Sequence, residues 1–287
     1  MKIIDIEQGT PEWLAWRKTI ITATEASAIM GSNPWVTPYK AWQRKLGLIP
    51  EQVSNEKMEK GKRLEPLARA QYIKETGIDV KPCCVQSTEY NFLGASLDGI
   101  TPAGNVLEIK CGGLDLHNMA MHGFIPEYYQ DQIQHQLLVT GALQGFYYSY
   151  FEGNGIGLEI SPDPKWVVKY LEKAREWWRC IAMYEAPPMV NKDYRDMNSN
   201  FNWSTIADEY KKIDEKIKDL EGEKIALRQA LVNMCEDQSC LGEGIKVMKV
   251  VSKGRVDYDR VPELKGIDLD KYRKEPAASW KITIDKE

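Results

Sequence analysis

Apolar and polar positions along this chain follow two periods, and the switches between them mark its elements. Thr10-Pro11-Glu12 opens a helical pattern: threonine caps, proline suits the first helical position, and an acid favours the positive end of the helix. Thr22-Ala23-Thr24-Glu25 opens a second, which Gly31-Ser32-Asn33-Pro34 closes. Over residues 54–76, Met58, Leu64, Leu67, Ala68 and Tyr72 recur at helical spacing until Gly77 ends the run. From residue 80 to 110 the texture becomes β-like, with runs at 80–86, 92–97 and 106–110 separated by turn signals, which predicts a meander. A helix over 126–140, strands over 145–151 and 156–160, and a helix over 163–184 entered through Pro162 and Pro164 follow. This order predicts an α/β (α+β) fold, a mixed central sheet flanked by helices.

Ala186-Pro187-Pro188 is the clearest punctuation, so residues 1–189 are expected to form one domain and 190–287 an extension. In the extension Ile206, Tyr210, Ile213, Ile217, Leu220, Leu227, Leu231 and Met234 follow a heptad stripe interrupted at Lys224, and residues 208–228 within it are more than half charged. Such a stripe can fold back on its own domain, contact another subunit or dock a partner. Beyond Gly242-Glu243-Gly244, a hairpin is expected around Lys253-Gly254.

Composition narrows the class. The 287 residues are 43% hydrophobic and 28% charged, which excludes a disordered or fibrous chain. No apolar run approaches the ~18 to 20 residues of a membrane span, and Asp5 stands where a secretory signal would be apolar, so the expectation is a cytoplasmic protein away from membranes. The net charge of -4 provides no overall attraction to polyanions, so a nucleic-acid partner would need a local basic surface or a metal-bridged site. The six cysteines include no Cys-x-x-Cys, and reduced thiols are expected.

The candidate chemistry lies in Gly94-Ala95-Ser96-Leu97-Asp98-Gly99 and, ten residues after the aspartate, Glu108-Ile109-Lys110. On a strand, Glu108 and Lys110 share a face while Ile109 points to the core, and a hairpin brings Asp98 alongside. Two carboxylates and the Ile109 carbonyl form an oxygen-rich site suited to Mg²⁺ or Mn²⁺ and hence to phosphate chemistry, with Lys110 placed to orient or deprotonate a water. Glu65, in Leu64-Glu65-Pro66, supplies a further carboxylate, and residues 130–136 carry four glutamines in seven positions.

These blocks, with Gly9-Thr10, Trp13, Arg17, residues 21–27, Gly61 and Gln132-Ile133-Gln134, resemble the lambda exonuclease or YqaJ-like viral recombinase family of the PD-(D/E)xK nuclease superfamily. The resemblance runs from about Gln8 to Phe151. It implies a restriction-endonuclease-like core in which Asp98, Glu108 and the Ile109 carbonyl hold Mg²⁺, Glu65 joins the metal and water environment, and Lys110 assists the attacking water. It places Gln134, with Gln132, in the same pocket, and Arg17, Thr24 and Ser96 around a terminal 5′-phosphate, with Thr24 where lambda exonuclease has serine. Met58 either matches an apolar wedge that splits the DNA end or packs as a helix methionine.

The function implied is a Mg²⁺-dependent 5′ to 3′ exonuclease on double-stranded DNA ends. It would release mononucleotides and leave 3′ overhangs for a phage-type single-strand annealing protein. A homotrimer and a phage or prophage origin in a bacterial host are implied likewise. Two other readings use the same core: a structure-specific or restriction-like endonuclease, and a catalytically silent DNA-end binding module. Lys57, Lys60, Lys62 and Arg63 could track phosphates or form a solvated helix face. His117, His122 and His135 are expected at the surface or behind the site, while Trp13, Trp16, Trp35 and Trp42 could stack on bases, with buried packing expected for most of them.

Overall fold

The computed structural model describes residues 1–50, 55–250, 261, 262 and 267. The chain divides into two compact units, Met1–Tyr194 and Arg195–Glu287.

The first unit begins with β1 (Lys2–Ile4), α1 (Pro11–Lys18), α2 (Ala23–Met30), α3 (Pro38–Lys45) and α4 (Glu56–Thr76). The expected caps are in place: Thr10 accepts from the Trp13 amide, Thr22 and Glu25 form a capping box, and Gly31 and Gly77 take the left-handed conformation at the helix ends. The β2 (Lys81–Gln86), β3 (Gly94–Ile100), β4 (Val106–Lys110) meander follows, then α5 (Leu114–Met121), α6 (Glu127–Thr140), β5 (Gly145–Phe151), β6 (Asn154–Ile160) and α7 (Pro164–Met183). Three short elements, β1, α3 and α5, escape the sequence pattern, although Thr37 and Pro38 at the head of α3 repeat the cap signature of α1.

The strands form one six-stranded sheet in sequence order, antiparallel except for β4 and β5. The parallel pair requires a crossover, and α5 and α6 supply it. On one face, α2, α3, α6 and α7 enclose the main core with Ala95, Leu97, Val106 and Tyr147; on the other, Ala68 and Tyr72 of α4 pack on Leu107, Ile109 and Tyr148. Strand alternation sends Leu107 and Ile109 beneath α4 and leaves Glu108 toward α6. Gly94 is small by necessity, since a Cβ there would lie 2.4 Å from Ile20 Cδ1 and 3.0 Å from the Val85 carbonyl oxygen.

A buried lysine joins the first helices. Lys45 Nζ, at the end of α3, donates to the carbonyls of Arg17 and Ile20 at 2.7 Å each and pairs with Glu25 at 2.7 Å. The first unit also runs past residue 189, because residues 190–194 are bonded to α3: Thr37 to Asp193, and Lys40 Nζ to the Lys192 carbonyl at 3.3 Å.

The second unit contains α8 (Phe201–Met234), none of whose residues is buried, and a two-stranded hairpin, β7 (Cys240–Gly242) with β8 (Ile245–Val247). The hairpin turns at Glu243-Gly244, read from sequence as a separator; the hairpin expected around Lys253-Gly254 lies outside the described residues. No helix among the described residues is long and apolar enough to cross a membrane.

Candidate active site

The site lies where β3 and β4 part. Their register holds Ile100 opposite Val106 and Gly99 opposite Leu107, and beyond that pair side chains take over the backbone bonding. The Ile109 amide donates to Asp98 Oδ2 at 2.8 Å, and Arg69 Nε, from α4, donates to the Asp98 carbonyl at 2.7 Å. Groups that a continued ladder would pair are thus satisfied by a carboxylate and a guanidinium, and the strands can diverge at little cost.

Glu108 is the buried anchor, 1% exposed. Its Oε1 accepts from Lys110 Nζ and Gln132 Nε2, and its Oε2 from Gln136 Nε2. Lys110, one-fifth exposed, also stands 4.7 Å from the ring centroid of Tyr129, a cation–π contact. Burial opposes the charge of Lys110, but Glu108 and Asp98 outweigh it and hold the ammonium well above its usual range. Burial, then the neighbouring Glu108, pushes the Asp98 carboxyl well above the usual carboxylate range, against the pull of Lys110.

The glutamines divide by helical geometry. Gln132 and Gln136, four apart, share the face of α6 that meets Glu108. Gln134 turns away: its Nε2 donates to the Ser161 carbonyl at 2.8 Å and its Oε1 accepts from the Asp163 amide at 2.9 Å, fastening α6 to the entry of α7. The expectation that Gln134 lines the pocket is therefore corrected, since a residue two positions from Gln132 lies on the other side of a helix. Gln136, within the glutamine run but not singled out, takes that place.

Glu65 sits one helical turn before Arg69 and is ion-paired with it, half-buried beside the site. Arg69 is the residue that sequence reading misses; the Glu-x-x-x-Arg spacing signals its ion pair with Glu65 but not its contact with Asp98. Among the described residues, no group of three or more His, Cys, Asp or Glu side chains is gathered as a metal cage. The donor set nevertheless suits a hard divalent cation, because the Glu108 carboxylate and the Lys110 ammonium that it holds both act on the Asp98 carboxyl. Three hydrogen-bond donors on Glu108 hold its oxygens in position.

A second cluster lies along the same β3 strand. Arg17 stacks on the Trp13 ring at 4.5 Å, and Trp13 Nε1 donates to Ser96 Oγ at 2.7 Å. Trp13, expected mainly to pack, thus connects the arginine to the serine. Thr24 is exposed on the first turn of α2. Met58 is 39% exposed on the first turn of α4, and Lys57, Lys60, Lys62 and Arg63 over the first two turns are exposed as well. A cleft of about 190 Å³ lies beside them, lined by Lys60, Leu64, Gly112 and Tyr150 to Gly153.

Two of the three histidines depart from expectation. His135 is fully buried, with Nε2 3.0 Å from the Gly94 carbonyl and Nδ1 2.6 Å from Tyr170 Oη; burial pushes its pKa down to about 4. His117 is buried against Ser149 at 3.1 Å, and His122 is exposed. Both buried rings are accommodated because polar partners meet them in the core.

Comparison with known proteins places this geometry in context. Residues 12–143 match the family described as the YqaJ-like viral recombinase domain. The chain is 24% identical over 295 residues to the uncharacterized protein YqaJ of Bacillus subtilis (strain 168), covering 94% of this chain and 92% of that one. Among solved structures, an alkaline exonuclease (LHK-Exo) from Laribacter hongkongensis is similar with a TM-score of 0.54 at 26% identity, covering 61% of this chain and 94% of that one. Its complex with dAMP gives a TM-score of 0.55 at the same identity and coverage.

Proposed function

For this chain, whose residues 12–143 match the YqaJ-like viral recombinase domain, we propose a metal-dependent 5′ to 3′ exonuclease acting on double-stranded DNA ends. The core has the PD-(D/E)xK fold of phage-type exonucleases. The observation that carries the reading is the spacing of two clusters on one strand. Ser96, tied to Trp13 and Arg17, and Asp98, tied to Ile109 and Arg69, are two residues apart on β3. That separation is about 7 Å, the order of one nucleotide along a strand. A terminal phosphate gripped at Arg17 and Ser96 would set the next phosphodiester against Asp98 and Glu108, which makes trimming from an end, one nucleotide at a time, the natural chemistry.

Mg²⁺, or Mn²⁺ in its place, would be held by Asp98, Glu108 and the Ile109 carbonyl, and when bound supplies charge neutralisation on the phosphodiester and an acidified water. The chain's own groups do the rest. Lys110, fixed by Glu108 and Tyr129, donates to the reacting phosphate and orients the water. Gln132 and Gln136 keep Glu108 from turning, and Arg69 keeps Glu65 and the Asp98 backbone in place. Arg17 presents a planar fork to the terminal phosphate, with the Ser96 hydroxyl and Thr24 completing the shell.

The same reading assigns the products and partners: mononucleotides, a 3′ overhang, a single-strand annealing protein that takes that overhang, a homotrimer, and the cytoplasm of a bacterial host carrying the phage or prophage. Digestion of one plasmid with Mg²⁺, as closed circle and as linear duplex, tests the core of it. Loss of the linear form alone is expected; nicked or linearised circles would favour an endonuclease, and intact DNA throughout a silent end-binding module.

A further inference from the structure

Trp35 is 65% exposed and so offers a large aromatic surface to solvent. The loop that presents it is firmly built. Asn33 Oδ1 accepts from the amides of Trp35 and Val36 at 2.9 Å each, and Asn33 Nδ2 donates to Ser27 Oγ at 3.0 Å. Ser32 Oγ donates to Asp131 Oδ2 at 2.5 Å, and the other oxygen of Asp131 accepts from Trp166 Nε1 at 2.6 Å. Asp131 lies on α6 directly before Gln132, so the Trp35 loop is anchored to the helix that holds Glu108.

From Trp35 a run of rings leads to the candidate active site. Its centroid lies 5.2 Å from that of Tyr128, edge to face at 76°; Tyr128 and Tyr129 are 4.3 Å apart, and Lys110 Nζ stands 4.7 Å from the Tyr129 ring. The path is no longer than about four base-pair steps of roughly 3.4 Å each. Its far end is exposed and aromatic; its near end is the lysine assigned to the reacting phosphate.

We propose that Trp35 and Tyr128 form a stacking platform for an unstacked base of the DNA strand held at Lys110. The proposal rests on the nuclease reading and adds a base-binding subsite to it. An aromatic face accepts any base, so the platform holds the strand without selecting sequence, as trimming an end of arbitrary sequence requires. Tyr129 is committed to Lys110, whereas Trp35 presents free ring surface on a pre-formed loop, and little ordering is needed on binding.

Two measurements with Trp35→Ala and Trp35→Phe test this. In steady-state digestion of 5′-phosphorylated duplex, Trp35→Ala should raise KM about ten-fold, the order of one lost stack, while kcat stays within about two-fold and Trp35→Phe recovers most of the loss. Wild-type protein should lose a similar factor on a duplex abasic at the terminal nucleotides, and Trp35→Ala should be indifferent to that change. An unchanged KM, or an abasic penalty that persists in full in Trp35→Ala, would overturn the platform. The second measurement needs no cleavage: 2-aminopurine at the terminal positions should be quenched on binding wild-type protein and not on binding Trp35→Ala. Equal quenching by both, or none by either, would overturn the platform, whereas DNA left undigested by wild-type protein would count against the nuclease reading alone.

Discussion

Arg69 donates from Nε to the carbonyl oxygen of Asp98 at 2.7 Å while its Nη2 pairs with Glu65. One guanidinium thereby ties α4 to β3 at the point where β3 leaves β4, beside the Asp98 carboxylate. Arg69→Ala should therefore reduce nuclease rate more than its stability cost suggests. Loss of about 1–3 kcal/mol is expected from the unsatisfied Asp98 carbonyl and unpaired Glu65. Denaturant unfolding beside initial rates checks this, and a rate equal to wild type would remove Arg69 from the site.

Gln134 and Gln136 offer a contrast within one helix. Gln136→Leu frees Glu108 Oε2, so it should lower catalytic rate by an order of magnitude or more, about 1–3 kcal/mol for a charged group losing a donor. Gln134→Leu breaks the bonds to Ser161 and Asp163 and should lower the unfolding midpoint while leaving rate per folded molecule near wild type. The reverse outcome would mean that α6 presents its other face to the substrate.

Lys45 and Glu25 are 4% and 18% exposed in their side chains, so Lys45→Met leaves a carboxylate without its ammonium and two carbonyls without their donor. Destabilisation of about 3–5 kcal/mol is expected. The double variant Lys45→Met, Glu25→Gln should recover part of it. Chemical denaturation of the three variants measures the coupling, and a Lys45→Met cost below ~1 kcal/mol would contradict a buried pair.

His135 predicts a pH dependence with a definite sign. Its folded pKa, pushed down to about 4 by burial, lies below the ordinary value of about 6.5, so the unfolded chain takes up the proton first. Its contribution is present above about pH 6.5 and is lost as pH falls toward about 4, by up to roughly 1.4 kcal/mol per pH unit. Urea midpoints through that window should fall more steeply for wild type than for His135→Gln. Parallel slopes would show that the ring is charged in the folded state.

Much of this arrangement is legible in the sequence, and what escapes does so for physical reasons. The 106–110 run and the turn before it locate the Glu108 strand because a period of two survives even in a short segment, and Thr10, Thr22 and Gly77 mark helix ends through capping chemistry that is local. Arg69 escapes because its value lies in a contact with the Asp98 carbonyl 29 positions away, which no local spacing encodes. The family resemblance points to Gln134, whereas the angle around the helix brings Gln132 and Gln136 to Glu108 and turns Gln134 toward Ser161. Sequence places His135 at the surface or behind the site because a polar ring enters a core only when distant partners, here Gly94 and Tyr170, meet it there. Trp35 looked like packing for the complementary reason: nothing in its neighbours says that the loop presents it outward.

The most direct measurement is release of label from linear duplex carrying a 5′-terminal label, with either a 5′-phosphate or a 5′-hydroxyl end, by wild type, Arg17→Ala and Lys110→Ala in Mg²⁺. Wild type should free the 5′-terminal nucleotide and prefer the phosphate end, Arg17→Ala should lose that preference, and Lys110→Ala should release nothing while remaining folded. Release from 3′ ends first, or wild-type rates in Lys110→Ala, would contradict a 5′-phosphate-guided exonuclease built on Asp98, Glu108 and Lys110.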